Sequence, residues 1–238
     1  MKKQIFLKGI QDGLPICFGY FSVAFAFGIF ATKSGLAIME TLLISMTNVT
    51  SAGQFAAVPV ITLGGTIIEL ILIQLVINAR YALMSLSLSQ KLGPDIRMRD
   101  RFLIAFMNTD EVFAVASAQA GLVERRYMYG LILTPYLGWS LGTLFGAVAG
   151  DILPSMLVSA LSLAIYGMFI AIVVPGAKKE RATLLCVLLA ISLSCLFAYL
   201  PALKNIPNGF AIIICAVAAS AVMAKVAPIR SVEEVEHA

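Results

Sequence analysis

The segment MTNVTSAGQFA, residues 46–56, sets a run of polar side chains inside an apolar stretch that extends from residue 36 to residue 62. Ser51 and Gln54 have the spacing of a capping box, in which a short side chain and an amide three residues later bond each other's backbone N–H groups. A helix that begins at membrane depth exposes unpaired N–H donors, which are tolerated only where they meet protein or line a cavity. The segment therefore predicts a broken or re-entrant helix.

A second segment of the same kind, MNTDEVFA at residues 107–114, interrupts the apolar stretch 102–123. Asn108 and Glu111 repeat the spacing of a capping box. Broken helices direct the positive ends of their dipoles at anionic groups near the middle of the bilayer, as a carrier of amino-acid carboxylates requires. Two such breaks in one chain favour transport, although each alone is also compatible with a capped kink packed against its neighbours.

Composition defines the class of protein around these segments. The chain has 238 residues, of which 60% are apolar and 13% charged, whereas about a quarter of the residues of a soluble domain are charged. A spanning helix needs about 20 mostly apolar residues. We predict an all-α polytopic membrane protein with a single transmembrane domain over 13–226, a cytoplasmic segment over 1–12 and a polar tail over 227–238. The apolar stretches are 13–32, 36–62, 64–90, 102–123, 128–150, 156–175, 183–200 and 208–226.

The basic residues lie in short loops beside apolar stretches, which indicates control of topology and argues against binding of nucleic acid. If all eight stretches cross once, ten Lys and Arg residues fall on the cytoplasmic side and six outside, including the cluster at 91–101. If 36–62 and 102–123 do not cross fully, the count becomes fourteen inside and two outside. The second arrangement fits the positive-inside rule better.

Few ionisable residues lie within the apolar stretches, and each is a candidate site because charge in a bilayer is costly. They are Glu40, Glu69, Arg80, Asp110 and Glu111. Arg80 needs a counter-ion, and Asp110 or Glu111 is the expected partner. The pair either fixes helix packing or lets one carboxylate carry a proton in competition with Arg80, with the other acting as a cap.

Two further patterns lie on predicted helices. A polar stripe with the spacing i, i+4, i+7, i+11 predicts one face of a helix that lines a pathway; it consists of Gln74, Asn78, Tyr81 and Ser85. Gly142, Gly146 and Gly150 are spaced by four, which predicts close packing against another helix. The sequence has no phosphate-binding loop, no cluster with metal-ligand spacing and no serine nucleophile elbow, so we expect no enzyme activity, no metal and no cofactor.

Several segments together resemble the AzlC family, the large subunit of branched-chain amino-acid exporters. They are GIQDGLP at 9–15, GY at 19–20, AFG at 26–28, SAGQF at 51–55, NARYALMS at 78–85, TDEVFA at 109–114, and WSLGT at 139–143 with Gly146. The resemblance covers residues 9–150 and implies a secondary exporter of valine, leucine, isoleucine or similar amino acids in the bacterial inner membrane. It also implies a small AzlD-like membrane subunit as partner.

The predicted mechanism combines the resemblance with the two breaks. The N–H groups after Ser51 and Asn108 face the substrate carboxylate, apolar neighbours accept the branched side chain, and Asp110 or Glu111 carries a proton against Arg80. The predicted substrate-binding residues are Ser51, Gly53, Gln54, Phe55, Asn78, Asn108 and Phe113. The alternatives are a channel-like or scaffold subunit without coupled transport of its own, and an intramembrane hydrolase.

Overall fold

The computed structural model of the chain describes residues 2–152, 170, 173–174, 177–178, 180–203, 206 and 208–227. Within these residues the secondary structure is helical, which confirms the predicted class. The helices are α1 (Lys2–Lys33), α2 (Ile38–Thr47), α3 (Ser51–Thr62), α4 (Ile67–Ser89), α5 (Met98–Phe106), α6 (Asp110–Ser117), α7 (Arg125–Ile152), α8 (Arg181–Tyr199) and α9 (Asn208–Val226). The predicted stretch 156–175 lies almost wholly outside the described residues, as does the tail from 228 onward.

Five of these helices, α1, α4, α7, α8 and α9, contain segments long and apolar enough to cross a membrane. The two predicted stretches with polar interruptions do not form single helices. Residues 48–50 separate α2 from α3, and residues 107–109 separate α5 from α6. The four resulting helices have 8 to 12 residues each, too few for one to span the hydrocarbon core alone. Both predicted breaks are therefore confirmed.

Helices α1 and α7 form the centre of the fold and run parallel. Their backbones touch along their length because glycine occupies the contact positions: a Cβ at Gly9 would lie 2.2 Å from the carbonyl oxygen of Tyr127, and one at Gly146 would lie 2.0 Å from that of Phe25. The predicted packing role of the glycine pattern in α7 is confirmed. Since the helices are parallel, Arg125 lies at the same end of the molecule as the start of α1, which we name the near end; Lys33 marks the far end.

Helices α5 and α6 form a hairpin that enters from the near end. Asp100, in the first turn of α5, accepts a hydrogen bond from Tyr129, which lies in the second turn of α7 at the near end. The α5 helix then rises to Phe106, whose ring contacts Tyr136 halfway along α7 at 6.2 Å between centroids. The α6 helix returns to the near end, where Lys91 donates hydrogen bonds to the carbonyl oxygens of Ser117, the last residue of α6, and of Gln119.

Helices α2 and α3 form the opposite hairpin, entering from the far end. The α2 helix begins five residues after Lys33 and descends until Trp139, halfway along α7, donates its indole N–H to the carbonyl oxygen of Ser45 at 3.1 Å. The α3 helix then returns, and Phe55 packs edge-on against Phe27 in the far half of α1. Helix α4 crosses from the end of this hairpin back to the near end.

This topology places the basic segment 91–101 at the near end, beside the start of α7: the backbone N–H of Gly93 donates to the carbonyl oxygen of Val123, and that of Arg125 donates to Asp95. The segment thus lies at the same end as the start of α1, as the second charge count requires. Each hairpin turns back at its break, where polar residues end the first of its two helices, so that it enters and leaves at the same end of the molecule.

Helices α8 and α9 pack on one side of this assembly. The described part of α8 contacts α9 and the 3₁₀ turn Pro201–Leu203 that joins the two helices, and none of its residues is buried. Helix α9 packs on α4, where the carboxylate of Glu69 accepts the backbone N–H of Gly209 at 2.7 Å. Glu69 is thereby buried at the start of α9, where the positive end of the helix dipole stabilises its charge.

Candidate functional site

The start of α3 differs in detail from the prediction. Thr50 is the N-cap: its backbone is extended and its hydroxyl accepts the N–H of Gly53 at 3.2 Å. Ser51, predicted as the cap, is the first residue of the helix, and Gln54 does not complete a capping box. The prediction was wrong by one position because two hydroxyl residues stand side by side and either can cap.

The start of α6 shows the same displacement. Thr109 is the N-cap, its side chain bonds no N–H of the first turn, and Asp110 is the first helical residue. Asn108, predicted as the cap, turns its amide nitrogen away toward the hydroxyl of Ser85 on α4, at 2.9 Å. The predicted capping box between Asn108 and Glu111 is therefore absent, and the backbone N–H groups at the start of α6 have two carboxylates beside them.

Both helix starts open into one cavity of about 590 Å³ at the centre of the fold. Ser51 and Ala52 contribute the N-terminal end of α3, and Thr109, Asp110 and Glu111 contribute that of α6. Tyr20 of α1, Arg80 and Tyr81 of α4 and Trp139 of α7 complete its polar and aromatic wall. The cavity has the size of a small-molecule site, and it collects atoms from both hairpins and from three long helices.

Arg80 and Asp110 form an ion pair in this cavity, with 2.6 Å between Nη1 and Oδ2. About half of each side chain is exposed, so the pair is open to a solute that enters. Arg80 also lies over the ring of Tyr81, 4.8 Å from its centroid, and donates to its hydroxyl at 3.1 Å. The expectation that one of the two adjacent carboxylates pairs with Arg80 is confirmed, and Asp110 is that carboxylate.

Glu111 has a different environment, as adjacent positions on a helix require. Its Oε2 accepts the hydroxyl of Tyr20 at 2.5 Å, and the ring of Tyr20 packs edge-on against Trp139 with 5.2 Å between centroids. Both aromatic residues are buried. Asp110 therefore faces a cation, whereas Glu111 faces a neutral hydroxyl held rigidly between two long helices.

The two helix starts also differ in charge. The first turn of α6 contains two carboxylates, which compensate the positive end of its dipole. The first turn of α3 contains no acidic residue, and the hydroxyl oxygen of Ser51 is buried without a hydrogen-bond partner among the described residues. The cavity is consequently electropositive at α3 and Arg80 and electronegative at Asp110 and Glu111.

The polar stripe of α4 holds both breaks in place. Gln74 donates to the carbonyl oxygen of Gly53 at 2.9 Å and accepts from the amides of Asn48 and Asn78 at 3.2 and 3.1 Å. Further along the stripe, Ser85 accepts from Asn108 as described above. The stripe was predicted to line a pathway; Tyr81 does line the cavity, while Gln74, Asn78 and Ser85 support the backbone around it.

The predicted substrate-binding residues thus separate into two groups. Ser51 lines the central cavity together with Arg80, Asp110 and Glu111. The others, which do not appear in its lining, are Gly53, Gln54, Phe55, Asn78, Asn108 and Phe113. Gln54 is fully buried and neither amide atom has a partner among the described residues. Phe55 lines a separate apolar cavity of about 810 Å³ toward α8 and α9, and Phe113 packs against the core.

Tyr20 is the site residue that sequence reasoning missed. It lies 91 positions from its partner Glu111, and one tyrosine among seven has no spacing that identifies it. Trp139, which begins the WSLGT segment at 139–143, also lines the cavity. Over the part of the chain that the structure describes, no group of three His, Cys, Asp or Glu side chains could hold a metal ion.

Two re-entrant hairpins that enter from opposite ends and meet at one cavity define a polytopic helical membrane protein with a solute-sized site at its centre. The chain belongs to the AzlC family: the family model described as AzlC protein matches residues 15–153. This region contains every residue that lines the central cavity.

Curated relatives agree with this assignment. An uncharacterized membrane protein of Archaeoglobus fulgidus is 34% identical over 76% of this chain and 80% of its own length. Inner membrane protein YgaZ of Escherichia coli is 32% identical over 61% of this chain and 61% of its own length. An uncharacterized membrane protein of Helicobacter pylori is 26% identical over 61% of this chain and 66% of its own length. No solved structure matches the chain.

Proposed function

We propose that this protein is a secondary transporter that exports branched-chain or similar apolar amino acids in exchange for protons. The observation that carries the proposal is the convergence of two half-helix N-termini on one cavity of about 590 Å³. Discontinuous helices that present their N-terminal ends to a midplane site are the usual way in which secondary transporters bind anionic groups. The family resemblance supplies the branched-chain substrate class.

The charge distribution supports a definite orientation of an amino acid in the site. The substrate carboxylate binds the N–H groups at the start of α3 and the Ser51 hydroxyl, because the first turn of α3 contains no acidic residue, and it competes with Asp110 for Arg80. The substrate ammonium binds beside Asp110 and Glu111. The sequence predicted that the N–H groups at the start of α6 also face the substrate carboxylate. We assign this role to α3 alone, since two carboxylates in the first turn of α6 repel an anion.

The apolar side chain of the substrate has its own part of the cavity. Ile16 and Val23 of α1 and Val49 of the first break line it together with the ring of Trp139. These residues form a wall without charged groups, which suits a branched aliphatic side chain and not a polar one. Selectivity among valine, leucine and isoleucine would then depend on the room that this wall leaves.

Proton coupling is assigned to Glu111. Arg80 pairs with Asp110 at 2.6 Å, whereas Glu111 bonds the hydroxyl of Tyr20, so Glu111 is the carboxylate of the cavity that is left without a cation as partner. In the exchange cycle a substrate carboxylate competes with Asp110 for Arg80, and the substrate ammonium competes with the proton on Glu111. Mutual exclusion of ammonium and proton is what couples export of one to import of the other.

The proposal includes the cell context that the resemblance implies: the bacterial inner membrane and a small AzlD-like membrane subunit as partner. The name of the Escherichia coli relative, an inner membrane protein, supports the first point. The chain acts without a nucleotide, metal or organic cofactor in this scheme.

Counterflow of labelled valine tests the proposal. The chain is reconstituted in proteoliposomes with its small partner, loaded with unlabelled valine and given an external labelled pool. We expect saturable accumulation of label. Glu111→Gln should keep counterflow, which needs no net proton movement, but lose uptake driven by a pH gradient. Asp110→Asn should weaken both, because the substrate ammonium loses one of the two carboxylates beside it.

Glu40→Gln is the matched control. Glu40 is also a carboxylate in the first turn of a half-helix, where it accepts the N–H of Ala37 at 2.9 Å, but it lies at the far end and outside the cavity. This variant should transport normally. Proton-driven uptake undiminished in Glu111→Gln would reject the coupling role. Flux that does not saturate and shows no counterflow would indicate the channel-like alternative, and would reject the transporter proposal as a whole.

A further inference from the structure

Helix α6 lies against α1 along an antiparallel seam that has a polar contact at each end. Tyr20 of α1 bonds Glu111 in the first turn of α6. Asp12, eight residues earlier in α1, accepts from Gln119, which follows the end of α6, at 3.5 Å. Eight residues along one helix are therefore matched by eight residues back along the other, a length of about 12 Å. The first contact lies in the central cavity and the second at the near end.

The middle of this seam is apolar and forms one wall of the central cavity. Ile16, one turn before Tyr20, lines the cavity and belongs to the same buried cluster as Val112 and Ala116 of α6. Val112 and Ala116 are fully buried, whereas Ala114, on another face of α6, is exposed. Helix α6 therefore packs by one face, and this face lies between the cavity and the near end.

Four side chains join where the seam reaches the near end, and we name them the near-end lock. They are Lys8 and Asp12 of α1, Gln119 and, from α7, Tyr127. Gln119 accepts from Lys8 at 3.1 Å and donates to the hydroxyl of Tyr127 at 2.7 Å, and this hydroxyl donates to Asp12 at 2.7 Å. Each of these bonds joins different elements, so the lock forms only while the end of α6 lies against α1 and α7.

The backbone leaves the helical conformation on both sides of α6. Residues 107–109 form the break that precedes it. After it, Gly121 has a φ of +73°, in the left-handed region that favours glycine. The next fixed point is Val123, which exchanges backbone hydrogen bonds with Lys91 and Gly93. Helix α6 can consequently turn as a unit between two joints once the side chains at its end are released.

From these observations we infer that α6 is a gate at the near end of the central cavity and that the near-end lock holds it closed. When the lock opens, α6 leaves α1, Ile16 loses its cover and the cavity is exposed to the near end. The inference rests on the proposed function only in taking this cavity as the substrate site. Closure and opening can be measured without any substrate.

Modification of Ser51→Cys by a membrane-impermeant thiol reagent tests the gate. The variant is made without the native cysteines and reconstituted in vesicles of both orientations. Arg99→Cys, at an exposed position of the basic segment 91–101, identifies the vesicles whose near end faces outward. We expect slow modification of position 51 from the near end. Gln119→Ala, which removes the central member of the lock, should raise this rate at least tenfold.

Two control variants separate the lock from general loosening of the near end. Gln90→Ala makes the same substitution at an exposed position after α4 and should change the rate less than twofold. Tyr127→Phe should raise the rate as Gln119→Ala does. Tyr129→Phe should not, because its hydroxyl bonds Asp100 of α5 and not the lock. The tyrosine pair also decides the test if Gln119→Ala does not fold.

A cross-link tests whether α6 moves during transport. Asp12→Cys and Gln119→Cys are combined in a chain that keeps Ser51, and the two thiols are joined by a short, cleavable bifunctional reagent. Joining them fixes the end of α6 on α1. Valine counterflow should be lost on joining and return when the reagent is cleaved.

A near-end rate at position 51 that is unchanged in Gln119→Ala and Tyr127→Phe, or raised equally in the control variants, would overturn the inference. Counterflow that continues at the unjoined rate in the joined protein would also overturn it. Saturable counterflow together with lock variants that leave access unchanged would reject the gate alone. A lock effect on access in a protein without counterflow would reject the transporter alone.

Discussion

The ion pair between Arg80 and Asp110 should stabilise the fold by an amount that its geometry bounds. Two unit charges 2.6 Å apart interact by about 6 kcal/mol at an effective dielectric constant of 20 and by about 1.6 kcal/mol in bulk water. Exposed pairs usually contribute about 1 kcal/mol or less. Because about half of each side chain faces the open cavity, we expect a coupling energy near the lower of the two Coulomb values, about 1–3 kcal/mol.

A double-mutant cycle measures this coupling. Arg80→Gln, Asp110→Asn and the double variant are unfolded reversibly in mixed micelles, and the free energies of unfolding are compared with wild type. Each single change leaves the other charge unpaired, so the double variant should be less destabilised than the sum of the two singles by the coupling energy. Valine at saturating concentration should reduce the coupling, since its carboxylate competes for Arg80.

The control cycle combines Arg80→Gln with Glu40→Gln, whose carboxylate bonds the backbone at the far end. These two changes should be additive within about 0.5 kcal/mol, as expected for distant sites. Additivity of the same quality in the Arg80 and Asp110 cycle would refute the ion pair, and with it the competition on which the transport cycle rests.

Three further predictions concern packing, capping and acid stability. Gly146→Val should lower the thermal midpoint by the equivalent of about 1–3 kcal/mol of overpacking, because its Cβ would lie 2.0 Å from a carbonyl oxygen of α1. Gly19→Ala should leave the midpoint unchanged, because its Cβ meets nothing within 4 Å. Equal losses in the two variants would contradict the close contact of α1 with α7. Thr50→Ala should cost about 1 kcal/mol because it removes the acceptor for a first-turn N–H, and Thr50→Ser should restore it; a loss in both would mean that the cap is not the cause. Hydrogen bonds from the hydroxyl of Tyr129 and from a backbone N–H lower the pKa of Asp100, so the stability that Asp100 adds is complete above the usual aspartate range and disappears as pH falls through the lowered pKa. When denaturation is measured from about pH 6 to 2, Tyr129→Phe should lose less stability on acidification than wild type. An unchanged loss would exclude this hydrogen bond as its source.

The breaks were predictable from the sequence because polar residues within apolar stretches and the basic segment 91–101 independently required helices that stop halfway. The exact N-cap residues were not predictable, since Thr50 and Ser51 are chemically equivalent candidates. Only the path of the backbone in the folded chain decides which of them is the N-cap. The direction of each hairpin also depends on contacts far apart in sequence, such as Trp139 with Ser45.

The charged residues of the site were predictable from the sequence, whereas the aromatic residue Tyr20 in its wall was not. A membrane-embedded Arg80 demands a counter-ion wherever it lies, which leaves few candidates in so apolar a chain. Tyr20 carries no such demand, and its bond to Glu111 follows from the parallel packing of α1 on α7 and the position of α6 against α1. Gln54 shows the converse. Its amide made it a plausible ligand by residue type, but its side chain is buried in the protein and does not line the central cavity.

Cysteine modification at the start of α3 tests directly whether two half-helices meet at an aqueous cavity that receives the substrate. In a background with Cys17, Cys186, Cys195 and Cys215 replaced, Ser51→Cys is compared with Phe18→Cys, which is 71% exposed on the outer surface of α1. We expect a water-soluble thiol reagent to modify position 51 and not position 18, and valine to protect position 51. Modification of position 51 at the rate of position 18, or at a rate that valine does not change, would contradict an aqueous substrate cavity at the start of α3.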